Sequence, residues 1–450
     1  MRMRDTGGAS RRNCPSATET PVKTLLSSRL VRLVCCVLLS GVWTVQAQET
    51  PAPGAAPGGR RGGGGPAAAA RAPAEDMNAG AVLLEKPATR PADWIVQHEP
   101  VNPNATPEAK ALLKYLYSIS GKHTLIGQHN FIGVQELSTA SVAQRLGKTP
   151  ALYGTDWGFS RAGDIDSIYA RDMAVKELIK QHRNGSIIAI CWHQVRPTAD
   201  EPVTFQGSPT SIQGHLTNAE WEQLMTPGSD INKKWCAQVD VIAGYLKQLQ
   251  DARVPILWRP VHEMNGSWFW WGGRVGERGT RAYFRMMFDR LVNFHHLTNL
   301  IWVWNCDRPN GTYAQFVDYF PGQQYVDVLA LDCYAAVDQR FYDEMNALSD
   351  GKVMAISEGN VPAIESYKAQ PKWTYYMSWA GVRNPVTDSK TTPAAADAAP
   401  IGPGARRGGG GGGGGRGGVN LAEMAKDPRM FSLEDDAYWE SIRPLRTVCG

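Results

Sequence analysis

Nowhere in the chain does an uninterrupted apolar run reach the roughly 18 residues that a membrane-spanning helix needs, so a helical integral membrane protein is not expected. Nucleotide-binding signatures are missing as well. No strand-like run is followed by G-x-G-x-x-G, and the long glycine tract Gly408 to Gly415 has neither a preceding strand nor a following Lys-Ser/Thr. A G-x-S-x-G nucleophile elbow is absent, and Ser160 stands in Gly-Phe-Ser-Arg-Ala-Gly with no helix pattern after it. The pair His262-Glu263 begins a zincin motif but does not complete it, because the position four residues after His262 is Gly266. Cysteine is sparse. Beyond a leader holding Cys14, Cys35 and Cys36 remain Cys191, Cys236, Cys306, Cys333 and Cys449, an odd number without metal-ligand spacing. Three of these lie in apolar strand-like runs, so buried, unreactive thiols are expected.

Positive charge is in excess only at one end. The formal net charge is +4, yet residues 1–47 hold seven Lys/Arg against two Asp/Glu, which leaves the remainder at −1. No polyanionic partner is therefore expected. The basic, then apolar stretch from Arg29 to Val42, followed by Val45-Gln46-Ala47, reads as a signal peptide over 1–47, and the protein is expected to be secreted or periplasmic. Residues 48–91, rich in Ala, Pro and Gly, read as a disordered linker. A second such stretch, at about 386–418, includes the Gly408 to Gly415 tract with its flanking arginines. It lacks the interleaved aromatic residues of a nucleic-acid-binding segment and reads as an insert or loop.

Hydrophobic residues at 43% and charged residues at 20% leave enough apolar content between these segments for a large core. Thr106-Pro107-Glu108 supplies a cap, an N1 proline and a first-turn acid for a helix reaching about Ser120. Eight short apolar runs follow, predicting strands at His123–Gln128, Ala151–Thr155, Ser186–Trp192, Pro255–His262, Asn299–Trp304, Asp327–Tyr334, Val353–Ser357 and Trp373–Trp379. Amphipathic segments between them predict helices, among them Asp166–Arg183, Asn232–Leu249 and Arg281–His295, and a last helix lies near Leu433–Ile442. Eightfold strand–helix alternation with nearly continuous apolar strands predicts an α/β protein, a (β/α)8 TIM barrel forming a single domain over 92–449.

In such a barrel, chemistry belongs at the C-terminal ends of the strands. Polar and aromatic residues gather there: His129-Asn130, Asp156-Trp157, His193-Gln194, His262-Glu263, Asn305, Tyr334, Glu358 and Trp379. Glu263 and Glu358, at the ends of strands four and seven, would face each other across the mouth. Two carboxyl groups about 5–5.5 Å apart suit retaining glycoside hydrolysis, although salt-bridged structural carboxylates are a competing explanation. Directly after Glu263 comes Asn-Gly-Ser-Trp268-Phe269-Trp270-Trp271, without core periodicity. With Trp157, Trp192 and Trp379, these rings are expected to pack against sugar faces; a hydrophobic plug closing the barrel is the alternative.

The run Trp258-Arg-Pro-Val-His-Glu-Met-Asn-Gly266, followed by Trp268-Phe-Trp-Trp-Gly272, resembles the acid/base motif of glycoside hydrolase family 26. Ile356-Ser-Glu-Gly359 resembles that family's nucleophile strand and Gly127-Gln-His-Asn130 its first strand. The resemblance spans about residues 92 to 449. It implies Glu263 as general acid/base and Glu358 as nucleophile, with no cofactor and no metal. It further implies His193 and His262 near the reacting sugar, Tyr334 bonded to the nucleophile, and Trp268 and Trp379 as sugar platforms.

The expected function is a secreted, monomeric, retaining endo-β-1,4-mannanase acting on β-mannan or a related plant polysaccharide, with no nucleic-acid partner. Mixed-linkage β-glucanase, β-1,3-xylanase and mannobiose-releasing exo-activity are alternatives within the family. A non-catalytic carbohydrate-binding protein is the alternative of another class. Finally, strand period two places Arg259 one layer below Glu263 and Asp332 below Tyr334, which predicts a buried Arg259–Asp332 contact.

Overall fold

Eight strands pair in parallel in the computed structural model: β1 Thr124–His129, β2 Leu152–Asp156, β3 Ile187–Cys191, β4 Ile256–Arg259, β5 Leu300–Asp307, β6 Val328–Cys333, β7 Val353–Gly359 and β8 Trp373–Ser378. The structure describes residues 75–80, 98–161, 165–205, 210–309, 316–334, 336–359, 364–379 and 425–449, all within one unit. Each strand pairs with the next, and β8 pairs with β1 with Gly127 opposite Met377, so the sheet closes into a (β/α)8 barrel. The eight predicted strands are the eight that close the barrel; a short further strand, Met430–Phe431, also pairs in parallel with β1. The expected leader and most of the expected linker and glycine-rich insert lie outside the described residues. No helix among the described residues is long and apolar enough to cross a membrane.

Strands such as Ile-Ile-Ala-Ile-Cys in β3 and Leu-Ile-Trp-Val-Trp in β5 carry apolar residues on both faces because both faces are covered. Inside the barrel, Leu125, Leu152, Ile187, Leu257, Val303, Ala330, Ala355 and Tyr375 belong to one buried cluster. That cluster continues into α1 (Pro107–Ile119) and the last helix, Asp436–Cys449, which lie on each other through Tyr115 and Tyr438. The outward faces pack against the surrounding helices in a second, larger cluster.

The α1 start is as expected: the Thr106 hydroxyl accepts the Ala109 N–H at 3.2 Å. Elsewhere the helix ends differ from expectation. The third helix begins at Arg171, because Ile165–Asp166 pairs with Phe159–Arg161 and a 3-10 turn covers Ile168–Ala170. The helix expected to start at Asn232 runs over Asp230–Asp251, since the Ser229 hydroxyl caps it. Thr280–Phe288 passes into a wider turn over Asp289–Phe294, and the last helix starts at Asp436. None of the five described cysteines is in a disulfide; Cys191, Cys306 and Cys333 are buried on strands and Cys236 and Cys449 are half-buried.

Two departures from regular strand geometry shape the catalytic end. In β7 a register shift lets Leu331 face Ile356 while Asp332 faces Glu358, so Ser357 is an extra residue in that strand. A bulge of this kind re-aims the side chains beyond it. Without it, strict alternation from inward-facing Ala355 would turn Ser357 inward and Glu358 outward. With it, both reach inward groups. The second departure is Glu263 itself, which follows β4 and has a left-handed φ of 48°. A non-glycine residue in that region persists only where its surroundings hold it.

Candidate active site

Glu263 is held from both sides. Its N–H donates to Asn305 Oδ1 at 2.6 Å, its carbonyl accepts the Gly266 N–H at 2.9 Å, and its Oε2 accepts the indole N–H of Trp268. The Asn305 amide, buried on β5, also donates to Asp332 Oδ1 and to Ser357 Oγ, each at 2.8 Å. Ser357 in turn donates to Asp332 Oδ1 at 2.7 Å. One amide side chain thus ties the backbone under Glu263 to the floor beneath Glu358.

That floor is ionic. Arg259 donates through Nη1 to Asp332 Oδ2 at 2.6 Å and through Nη2 to Glu358 Oε2 at 2.9 Å. The expected Arg259–Asp332 contact is present, and the same guanidinium also reaches Glu358. The other Glu358 oxygen, Oε1, accepts the Tyr334 hydroxyl. Tyr334 is 38% exposed at the mouth, but removal of its hydroxyl end from solvent, reinforced by the Glu358 charge, pushes its pKa up, which keeps the phenol as a donor.

Glu263, Asp332 and Glu358 each bring an oxygen within 4.8 Å of the others. Three carboxyl groups share one guanidinium, so full ionisation would leave buried charge uncompensated. The group without a cation is Glu263. Burial and then the charge of Glu358 push its pKa well above the carboxylate range, against a smaller opposing effect of the Trp268 N–H. The protonated form of Glu263 is thus favoured; burial also raises Asp332, to about 8 despite Arg259, while Arg259 and Tyr334 are bonded to Glu358.

A second network lines the other side of the mouth. Asp156 accepts four N–H groups: Gly158 N–H at 2.8 Å and His193 N–H at 3.0 Å on Oδ1, Phe159 N–H at 3.2 Å and the His193 ring Nδ1 at 2.6 Å on Oδ2. Burial would raise the Asp156 pKa, but His193 and the Gly158 N–H together hold it below the ordinary value. An ionised Asp156 accepts only, so the network assigns the proton to His193 Nδ1. His193 Nε2 is then an acceptor for His262 Nε2, 3.1 Å away. Burial above all pushes the His262 pKa well below its ordinary value, which keeps the ring neutral.

The aromatic residues divide. Trp268 is half-buried and bonded to Glu263, and Trp379 lies half-buried at the end of β8, stacked on His129 with ring centroids 3.7 Å apart. Phe269, Trp270 and Trp271 are buried, as are Trp157 and Trp192. The expectation that all of these rings pack against a sugar is corrected: five are buried in the larger hydrophobic cluster, Trp157 against Tyr245 and Trp270 against Tyr283 of the surrounding helices. Trp270 donates to Gln194 O and Trp271 to His262 O, both at 2.8 Å, which turns their polar edges inward too.

The structure brings together every residue singled out beforehand, namely Glu263, Glu358, His193, His262, Trp268, Tyr334 and Trp379. Asn305, Asp156 and His129 were placed on the rim by strand-end position alone, without a role. Among the described residues, two groups offer three metal-ligand atoms within 4.8 Å of one another. Asp156 in the first already accepts four N–H groups, and a cation in the second would have to displace Arg259. Neither donor set favours a cation.

A (β/α)8 barrel with a protonated and a guanidinium-bound carboxyl facing each other in its mouth has the layout of a two-carboxylate hydrolase. The chain matches the family described as Glycosyl hydrolase family 26 over residues 101–396, and it belongs to that family. It is 34% identical over 313 residues to a mannan endo-1,4-beta-mannosidase of Thermothelomyces thermophilus, covering 66% of this chain and 60% of that protein. With the mannan endo-1,4-beta-mannosidase of Bacillus subtilis strain 168 the identity is 28% over 310 residues, covering 62% of this chain and 81% of that one. Among solved structures, GH26A from Muricauda sp. MAR_2010_75 aligns with a TM-score of 0.62 at 34% identity, covering 74% of this chain and 98% of that one. The chain spans 60% or less of the length of the Thermothelomyces protein and of two mannan endo-1,4-beta-mannosidases of Piromyces sp.

Proposed function

We propose that this protein is a retaining endo-β-1,4-mannanase, with Glu263 as general acid/base and Glu358 as nucleophile. The observation that carries the reading is the approach of the two carboxyl groups to within 4.8 Å, oxygen to oxygen. Carboxyl groups about 5–5.5 Å apart suit retention, whereas inverting enzymes keep them roughly 6.5–9.5 Å apart to admit a water, so this close approach supports retention. The mannan substrate rests on the relatives' names, and export rests on the leader pattern.

In the first step Glu263 gives its proton to the glycosidic oxygen as that bond breaks, and a Glu358 oxygen bonds to the anomeric carbon. In the second, Glu263, now ionised, takes a proton from water, whose oxygen displaces Glu358 from that carbon. Arg259 and Tyr334 each hold one Glu358 oxygen, which lowers the cost of aiming the nucleophile. Trp268 supports the ionised form that Glu263 takes between the steps. The Asp156–His193–His262 chain spends both imidazole N–H groups internally and so fixes the orientation of the two rings beside the reacting sugar, and Trp379 offers a flat apolar face.

The test is release of reducing sugar from galactomannan, mixed-linkage β-glucan and β-1,3-xylan, with Glu358→Ala as blank. Release from mannan alone, abolished in the variant, is the expected result. Release from another glycan alone would keep the mechanism and overturn the substrate, and silence on all three polymers would overturn the endo-enzyme reading.

A further inference from the structure

The segment Glu75–Gly80 lies within the stretch expected to be linker, yet it is bound to the barrel's catalytic end. Asn78 donates through Nδ2 to Gly273 O and accepts the Val275 N–H on Oδ1, both at 3.0 Å. The Met77 carbonyl accepts from Arg274 Nη1 at 3.2 Å. Asn218 donates its N–H to Glu75 Oε2 and its side-chain amide to the Asp76 carbonyl, both at 3.0 Å. Five hydrogen bonds therefore attach six residues to positions more than 140 residues away in sequence.

Three of them reach the return limb of the loop that begins with Glu263, and the other two reach Asn218, which Arg274 on that limb also binds. Gly273 N–H donates to Met264 O at 2.9 Å. A Cβ at Gly272 would lie 2.3 Å from Gly266 O and 3.4 Å from Glu263 O. A Cβ at Gly273 would lie 3.2 Å from Gly266 O on one side and 3.6 Å from the Met77 methyl on the other. The limb is thus a layer one backbone thick, with the Glu263 turn inside and Asn78 outside. Asn78 uses both halves of its amide on this limb, one residue apart from Arg274, whose guanidinium holds Asn218 and Leu216 O. The turn inside contains a left-handed glutamate, a conformation that needs support from its surroundings.

We propose that Asn78 is a positioning residue for the acid/base loop, and that Glu75–Gly80 is a clip that keeps Glu263 aligned with the leaving oxygen. The proposal rests on Glu263 being the acid. Loss of the clip would then cost rate in proportion to how much acid assistance the leaving group needs, since misplacement by about 1 Å can lower rates by about a hundredfold.

The experiment uses the full chain with Asn78→Ala and Asn78→Asp, and measures two things. The first is hydrogen exchange over residues 272–277. The second is kcat/KM, which reports glycosylation, on mannan and on a dinitrophenyl β-mannoside whose leaving group needs no proton. For Asn78→Ala the account predicts faster exchange, with kcat/KM on mannan lowered by about tenfold and on the aryl substrate by less than twofold. Asn78→Asp, which keeps the Val275 acceptor and loses the Gly273 donor, should fall between. Equal losses on both substrates would overturn the proposal in favour of a general structural role, and unchanged exchange with unchanged kinetics would overturn it outright. A wild-type chain inactive on both substrates would refute the Glu263 reading, and exchange at Val275 would still decide whether the clip exists.

Discussion

Arg259 reaches Glu358 from below, Nη2 to Oε2 at 2.9 Å, while its other terminal nitrogen is bound to Asp332. The guanidinium is almost wholly removed from solvent, and its two bonds use the planar fork of arginine in two directions at once. A lysine ammonium cannot span both carboxylates from that depth. Arg259→Lys is therefore expected to lower kcat/KM by about a hundredfold or more and to lower the melting temperature, read by steady-state kinetics and calorimetry.

Asp332→Asn leaves the arginine buried with a neutral partner beside Glu358. Breaking a buried ion pair on one side costs about 3–5 kcal/mol, and the amide's residual hydrogen bond should hold the loss to about 2–4 kcal/mol. Denaturant unfolding gives this directly, and stability and activity both at wild-type levels would refute a supporting role for the pair.

Glu263 contributes a pH dependence whose sign follows from its raised pKa. In the unfolded chain it ionises near 4.3, whereas in the folded chain it keeps its proton to higher pH. Stability from this group is complete below the unfolded value and is lost as pH rises toward the folded value. Glu263→Gln cannot ionise, so its stability relative to wild type should grow as pH rises above about 4.3 and level off above the folded pKa. Melting curves between pH 4 and 9 measure the difference, and a constant difference across that range would contradict the assignment.

Trp268 acts on the same group through one hydrogen bond. Trp268→Phe retains a ring and removes the N–H, so the ionised form of Glu263 loses support and its pKa rises further. The alkaline limb of kcat/KM on mannan should move to higher pH, and the deglycosylation step, which needs ionised Glu263, should slow. An alkaline limb that stays in place or moves to lower pH would show that the indole does not act through Glu263.

Much of this site was legible in the sequence because strand ends in a closed barrel are a small region, and the residues there can be named from eight apolar runs. Period-two alternation was enough to place Arg259 against Asp332. Alternation also misleads at β7, where it would turn Glu358 away; the bulge at Ser357 has no marker in Ile-Ser-Glu-Gly and appears only in the pairing with β6. The aromatic run after Glu263 was misjudged for a related reason. A loop has no periodicity that separates core from surface, so Trp270 and Trp271 are indistinguishable in sequence from half-buried Trp268, although their N–H groups point at the buried Gln194 and His262 carbonyls. Asn305 was visible as a rim residue, but its three-way role depends on groups from strands β6 and β7 and the turn after β4, which no local pattern reports. Asn78 lay in a segment whose composition reads as linker, and its partners are nearly 200 residues away.

The central claim is that Glu358 forms a covalent bond to the sugar. The most direct measurement is peptide mass mapping after reaction with a 2-deoxy-2-fluoro-β-mannosyl fluoride or its oligosaccharide analogue, in which the fluorine slows turnover of the intermediate. The account predicts one sugar per chain, on the peptide containing Glu358, and none on Glu358→Ala. A label on another residue, or full activity on mannan with no trapped sugar and release of the inverted anomer, would contradict it.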